Sequence, residues 1–202
     1  IIRITAKCME VNEAKTLIAA MEALVNTRLK QYIYGTDDET LASYLGKELL
    51  RTESTIAFAE SCTGGLASSL VTDVPGSSEY LLGSAVTYSN MAKHKLINVS
   101  EESLEAYGAV SWQVACEMAQ GVRELFGTTY GVGITGIAGP GGATEDKPVG
   151  LVYMAVADAD GVKWAKHVFG GTRTDNKMRS ALTAISMVID RIKEKETENK
   201  DK

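Results

Sequence analysis

Apolar positions along this chain recur with two periods, and the alternation between them predicts helices and strands in turn. Ala14, Leu17, Ile18, Met21, Leu24, Val25 and Leu29 follow helical spacing, which predicts an amphipathic helix from Asn12 to about Lys30. Before it, Ile1 to Cys8 alternates apolar and polar residues like a short strand, and after it Gln31 to Tyr34 reads as another. A β-α-β unit of about 35 residues is too small to bury much by itself. It is therefore expected to be part of a separate module, with a boundary near Tyr34 to Asp38. A second helix is expected from Glu39 to Arg51, with Leu41, Leu45, Leu49 and Leu50 on its inner side.

From there strands and helices alternate. Thr55 to Ala59 is short, apolar and partly β-branched, the pattern of a buried strand. A polar turn, Glu60-Ser-Cys-Thr-Gly-Gly65, leads into a helix from Leu66 to Thr72. Leu81 to Tyr88 predicts a strand, and Tyr88 to Asn90 starts a helix reaching Ile97. Ser100 starts a short helix that Gly108 ends. Ser111 caps a longer one to Phe126, with Val114, Ala115, Met118, Val122 and Leu125 inward, and Gly127 closes it. Tyr130 to Ile137 is a glycine-rich strand followed by an Ala138 to Gly142 loop. Val149 to Ala157 and Val162 to Phe169 form a hairpin around Asp158 to Gly161, and the last helix spans Asp175 to Lys193. The pattern predicts a layered α/β/α domain with a mixed, mostly parallel sheet over residues 38–193, preceded by the module at 1–37. The charged tail at 194–202 is expected to fray.

Composition narrows the functional classes. A chain of 202 residues with 45% hydrophobic and 23% charged positions is an ordinary globular protein. Its net charge of −5 argues against nucleic-acid binding. No apolar run has the length of a membrane span, and no charged-then-apolar leader opens the sequence, whose first residue is Ile. Cys8, Cys62 and Cys116 are scattered, which suggests a reducing cytoplasm and neither a disulfide framework nor a metal site.

The candidate chemistry begins in the glycine turn. A strand-to-helix turn exposes backbone N–H groups at a positive helix end, suited to an anion or a developing oxyanion, and Ser61 stands where a nucleophile could. The plainer reading is that Ser61 or Thr63 is only an N-cap. A serine needs a base, and His94 and His167 are poorly placed for it. Lys93, with a lowered pKa and acting directly or through Tyr88, could serve; the plainer reading is a solvated helix lysine. Gly131-x-Gly133-x-x-Gly136 with Asp158 fits a dinucleotide fingerprint, but its glycines lie inside a strand and no helix follows, so close packing explains them better. The Thr135 to Gly142 loop sits where α/β proteins bind ligands. Arg173 could clamp a phosphate or simply pair with Asp175.

Six spaced motifs together resemble one family. The Glu60 to Gly65 turn, Thr87 to Lys93, Gly108 to Ser111, Thr135 to Pro140, Lys147 to Gly150 and the Arg173 loop look like the C-terminal domain of the CinA proteins, whose single-domain relatives are nicotinamide mononucleotide deamidases. Residues 1–37 look like the end of the connecting module of full-length CinA. The resemblance implies hydrolysis of the nicotinamide carboxamide to nicotinic acid mononucleotide and ammonia. In that reaction Ser61 is the nucleophile, Tyr88 and Lys93 transfer protons, and N–H groups around Thr63 to Gly65 bind the oxyanion. It places Thr63, Gly64, Gly65, Asn90, Thr135, Gly136, Gly139 and Arg173 around the substrate, with Arg179 the alternative to Arg173. It implies a cytoplasmic homodimer with no cofactor, no metal, and no nucleic-acid or membrane partner. The other reading left open is a catalytically silent ligand-binding or regulatory domain of a competence-associated protein.

Overall fold

The structure, a computed structural model, describes residues 2–200. It divides into two compact units, one up to Thr40 and the other from Leu41 onward. In the first, helix α1 (Val11–Leu29) runs into a short 3-10 turn at Lys30–Tyr32. The two strands expected to flank this helix are not formed: residues 2–8 carry no regular element, Ile1 lies outside the described residues, and the Lys30–Tyr32 turn takes up part of the second stretch. A strand needs a neighbour to satisfy its backbone, and two short ones with no apolar face to cover are unstable by themselves. The predicted β-α-β module is therefore, within this chain, one helix. None of its residues is buried, and Leu17, Met21 and Leu24 remain about half exposed.

The second unit is a three-layer α/β/α sandwich. Its five-stranded sheet runs in the order β2 (Leu81–Val86), β1 (Ile56–Glu60), β3 (Tyr130–Gly136), β4 (Leu151–Asp158), β5 (Gly161–Val168). β1 pairs in parallel with both β2 and β3, and β4 is antiparallel to β3 and β5. Four of the five strands thus point the same way, and β4 alone is reversed. One face is covered by α2 (Leu41–Arg51), α3 (Leu66–Thr72) and α7 (Arg173–Lys200), through a core that includes Leu45, Phe58, Val71, Ile134, Met154 and Ile185. The other carries α4 (Asn90–Ile97), α5 (Glu101–Tyr107) and α6 (Trp112–Phe126), over a core with Ala57, Ala59, Ile97, Val114 and Met118. Among the described residues, no helix is long and apolar enough to cross a membrane.

Local signals in the sequence match the helix ends. Ser89, Ser100 and Ser111 each accept an N–H of the first turn of α4, α5 and α6, and Gly108 and Gly127 end α5 and α6. Gly131 and Gly133 are packing glycines and not a nucleotide fingerprint. A Cβ at Gly131 would sit 2.1 Å from the Ala119 carbonyl oxygen, and one at Gly133 2.3 Å from that of Ala115, so α6 lies directly on β3. Leu50 and Leu125, expected inside, are about half exposed; Leu50 stands at the edge of its helix's apolar stripe and Leu125 in the last turn of α6.

The expected frayed tail is helical: α7 continues to Lys200. Ion pairs hold its last turns, with Glu194 to Lys163 at 2.5 Å and Glu196 to Arg51. At the hairpin the nearly buried Arg191 donates to Asp158 at 2.6 Å, and Lys195 bridges Asp158 and Asp160. Burial pushes the Asp158 carboxyl up, but hydrogen bonds from Arg191, the Asp160 N–H and Lys195 outweigh it and hold its pKa below the ordinary value. A group with a depressed folded pKa contributes stability above its unfolded pKa and loses it as the pH falls through the folded one. Arg191→Ala leaves Asp158 buried with Lys195 as its remaining cation, and should cost about 3 kcal/mol in urea unfolding at pH 7. The gap from wild type should narrow once the pH drops below about 4. An unchanged midpoint at pH 7 would show the pair to be dispensable.

Candidate active site

Three parallel strand ends build the site. β1 lies between β2 and β3, so the chain leaves it to one side for β2 and crosses to the other for β3. Such a reversal opens a crevice beyond the carboxyl ends of the strands, where open α/β sheets bind ligands. A cavity of about 270 Å³ occupies that place, just below the range of ligand clefts, which run from ~300 to 1,000 Å³. Ser61 and Cys62 come to it from the end of β1, Tyr88 from beyond β2, and Thr135 and Gly136 from β3. Ala109 and Val110, the Ile137–Gly142 loop, and Arg173 at the start of α7 supply the walls.

The floor is a serine–lysine pair. Lys93 reaches up from α4 and places its Nζ 3.0 Å from Ser61 Oγ and 2.8 Å from the Thr87 carbonyl oxygen, to which it donates. Lys93 is 1% exposed. Among the described residues no carboxylate pairs with it. Desolvation therefore disfavours the ammonium and lowers its pKa from 10.5 to about 8. At pH 7 about a tenth of the amine is then uncharged, far more than for a solvated lysine, with its lone pair available to Ser61. Cys62, the adjacent candidate nucleophile, is the poorer one: burial pushes its thiol up to about 12. Both histidines serve elsewhere. His94 Nδ1 lies 2.9 Å from the Val99 carbonyl, and His167 stacks on Phe169.

The remaining expected residues divide into those at the cavity and those away from it. Thr135 is at the cavity and donates from Oγ1 to the Ala109 carbonyl at 2.7 Å, tying the Ala109–Val110 wall to β3. Gly136, Gly139 and Arg173 line it as well. Arg173 donates to the Gly139 carbonyl at 2.7 Å and to the Tyr88 hydroxyl at 3.1 Å. Asp175, the alternative partner weighed for Arg173, instead accepts from the Thr172 N–H and hydroxyl. Tyr88 lines the cavity but is 62% exposed, and its hydroxyl is engaged by Arg173 and not by Lys93 or Ser61. Arg179 points its guanidinium at the Gly170 carbonyl and does not line the cavity, and neither does Asn90.

The glycine turn is arranged differently from the expectation. The Gly64 N–H donates to the Ser61 carbonyl, and the Gly65 N–H to Glu60 Oε2. Neither is left for an oxyanion. Among the described residues no carbonyl or carboxylate of another residue accepts from the N–H of Cys62, which lines the cavity beside Ser61, whereas Thr63 is fully buried and does not line it. Thr63 does not cap α3; its Oγ1 is buried without a partner, and the Glu60 carboxylate takes the helix end. The sequence reading also missed Asn176, whose buried Nδ2 donates to the Ala138 carbonyl at 3.0 Å and steadies the loop wall from α7. Glu60 carried a visible signal, a lone acid ending an apolar strand. Asn176 had none.

The profile described as the CinA C-terminal domain matches residues 38–192. A CinA-like protein of Gloeothece citriformis is 42% identical over 194 residues, covering 96% of this chain and 46% of that protein. A CinA-like protein of Endomicrobium trichonymphae is 49% identical over 160 residues, covering 79% of this chain and 37% of that protein. This chain thus spans about half the length, or less, of the curated relatives it matches. The crystal structure of a competence/damage inducible protein from Agrobacterium tumefaciens superposes with a TM-score of 0.74 at 37% identity, covering 78% of this chain and 97% of that one.

The depressed pKa of Lys93 has a consequence for stability. Between about 8 and 10.5 the unfolded lysine holds a proton that the folded one has lost. The unfolded state binds more protons there, so stability rises with pH across that window. Lys93→Met should flatten the rise and raise the melting temperature at pH 7, where the buried ammonium is a cost. A melting temperature that falls in Lys93→Met, with the pH slope retained, would contradict this assignment.

Proposed function

The chain belongs to the CinA family, and on that premise we propose that its cavity is the active site of a serine amidohydrolase that deamidates nicotinamide mononucleotide. The observation that carries the reading is the buried Lys93 amine 3.0 Å from Ser61 Oγ on the cavity floor. A serine hydroxyl is a weak nucleophile, and a neutral amine within hydrogen-bond reach is the activation it requires.

The uncharged Lys93 accepts the Ser61 proton as Oγ attacks the carboxamide carbon. The Thr87 carbonyl holds the resulting ammonium in place. The N–H group of Cys62, beside Ser61 at the cavity, stabilises the tetrahedral oxyanion, with about 3 kcal/mol as the usual weight of one such donor. Lys93 then returns the proton to the departing nitrogen, and ammonia leaves. Water attacks the acyl-serine with Lys93 again as base, which frees nicotinic acid mononucleotide and restores Ser61. The net reaction consumes one water and releases one ammonia. Arg173 faces the ribose phosphate, with guanidinium N–H groups beyond the two spent on Gly139 and Tyr88. Tyr88 serves by orienting Arg173.

Ammonia release from nicotinamide mononucleotide tests the reaction. Ser61→Ala should lower kcat by at least about a thousandfold. The wild-type rate should rise with pH to a plateau above about 8, the pH at which Lys93 becomes neutral. Arg173→Ala should raise KM for the phosphorylated substrate by about tenfold or more and leave nicotinamide riboside, which lacks the phosphate, nearly unaffected. Ammonia release that survives Ser61→Ala would remove the serine from the reaction, and none above background from the wild type would remove the reaction itself.

A further inference from the structure

Glu60 precedes Ser61 at the end of β1, and it has no exposed surface. A carboxylate this deep needs compensation. Three backbone N–H groups supply it, Gly65 and Ala67 to Oε2 at 3.0 and 3.1 Å and Ser68 to Oε1 at 2.8 Å. The Ser68 hydroxyl lies 2.8 Å from Oε1 as well, within reach of the Gly65 carbonyl too. The donors are the free N–H groups that open α3, so the side chain binds the start of the helix that follows its own strand. Residues 60 to 68 are closed into a loop by one side chain.

That loop contains the nucleophile. Gly64 and Gly65 have φ of +66° and +93°, in the left-handed region that other residues resist. The turn is tied at the other end by the Ser61 N–H to the Ile134 carbonyl. The Glu60 backbone reaches the base too: its carbonyl accepts the Thr87 N–H, and the Thr87 carbonyl accepts from Lys93. We infer that Glu60 is a positioning residue that sets the Ser61–Lys93 geometry by clamping the turn to the N-terminus of α3. Its carboxylate occupies the anion position of that turn, so an anionic part of the substrate has to be held elsewhere. The inference rests on the reading of Ser61 as nucleophile.

Covalent labelling of Ser61 by a fluorophosphonate, followed by mass spectrometry, tests it without reference to the natural substrate. Ser61 Oγ bonds to phosphorus, fluoride leaves, and the hydroxyl proton passes to Lys93. In Glu60→Gln the amide NH2 must face at least one backbone N–H, so the turn opens. The labelling rate is expected to fall about a hundredfold, the usual cost of a misplaced reacting atom. Its pH midpoint should stay at the wild-type value, and the variant should remain folded by circular dichroism. With nicotinamide mononucleotide, kcat should fall with KM within about threefold of wild type. Labelling of folded Glu60→Gln at the wild-type rate overturns the inference and leaves the proposed reaction standing. Absence of labelling in the wild type, instead, sinks the nucleophile and this inference with it. If Glu60→Gln does not fold, Ser68→Ala decides: a rate about fivefold lower, the weight of one hydrogen bond, supports the clamp, and an unchanged rate overturns it.

Discussion

A lysine amine buried without a carboxylate is the constraint on which this site depends. Lys93 has two polar neighbours, the Ser61 hydroxyl and the Thr87 carbonyl, and both are neutral. Neither repays the loss of hydration, so the proton is held weakly. The same burial that costs the fold stability supplies the chemistry with an uncharged amine near physiological pH. A solvated lysine at the same distance from Ser61 would be almost wholly protonated and unable to take a proton.

This arrangement survives only if carboxylates are kept from the amine, and the sheet does that for Glu60, which binds α3 on one face while Lys93 comes from α4 on the other. A carboxylate offers about four lone-pair directions. Three backbone N–H groups and the Ser68 hydroxyl converge on Glu60, all from the start of α3. Little acceptor capacity is left for an ammonium. Two groups of opposite charge type are thus built into neighbouring parts of one site without forming an ion pair. The carboxylate is satisfied by the backbone, and the amine is left under-satisfied. Had they paired, the lysine would have been held charged.

Much of the fold was legible because its signals are local. Serine caps, terminating glycines and short apolar runs each depend on a few consecutive residues, and the helices of the second unit begin and end close to where those signals stand. The Ser61, Lys93, Thr135 and Arg173 set was legible through spaced motifs, and these residues meet in one cavity. What escaped depends on contacts that sequence order hides. The Glu60 clamp links positions five to eight apart through a turn whose glycine dihedrals had to be seen. Arg51 and Lys163 hold the end of α7 from distant elements, so a charged tail that looks frayed by composition is a helix. The strands expected around α1 failed for the opposite reason, since their local pattern was right and a partner strand was missing.

The clamp also bears on how a phosphate can be recognised here. The N-terminus of a helix is the usual backbone site for an anion. The start of α3, beside the nucleophile turn, is occupied by the chain's own acid, Glu60. Backbone recognition of a ligand anion is closed at that helix start. On the proposed reading a side chain carries it, and Arg173 is already oriented by Gly139 and Tyr88, from the loop beyond β3 and the end of β2. An arginine held from two sides loses little freedom when a phosphate arrives, because its entropy has been spent in folding. On the proposed reading, the acid that stiffens the turn thereby leaves an anionic substrate to the cavity wall where Arg173 is held ready.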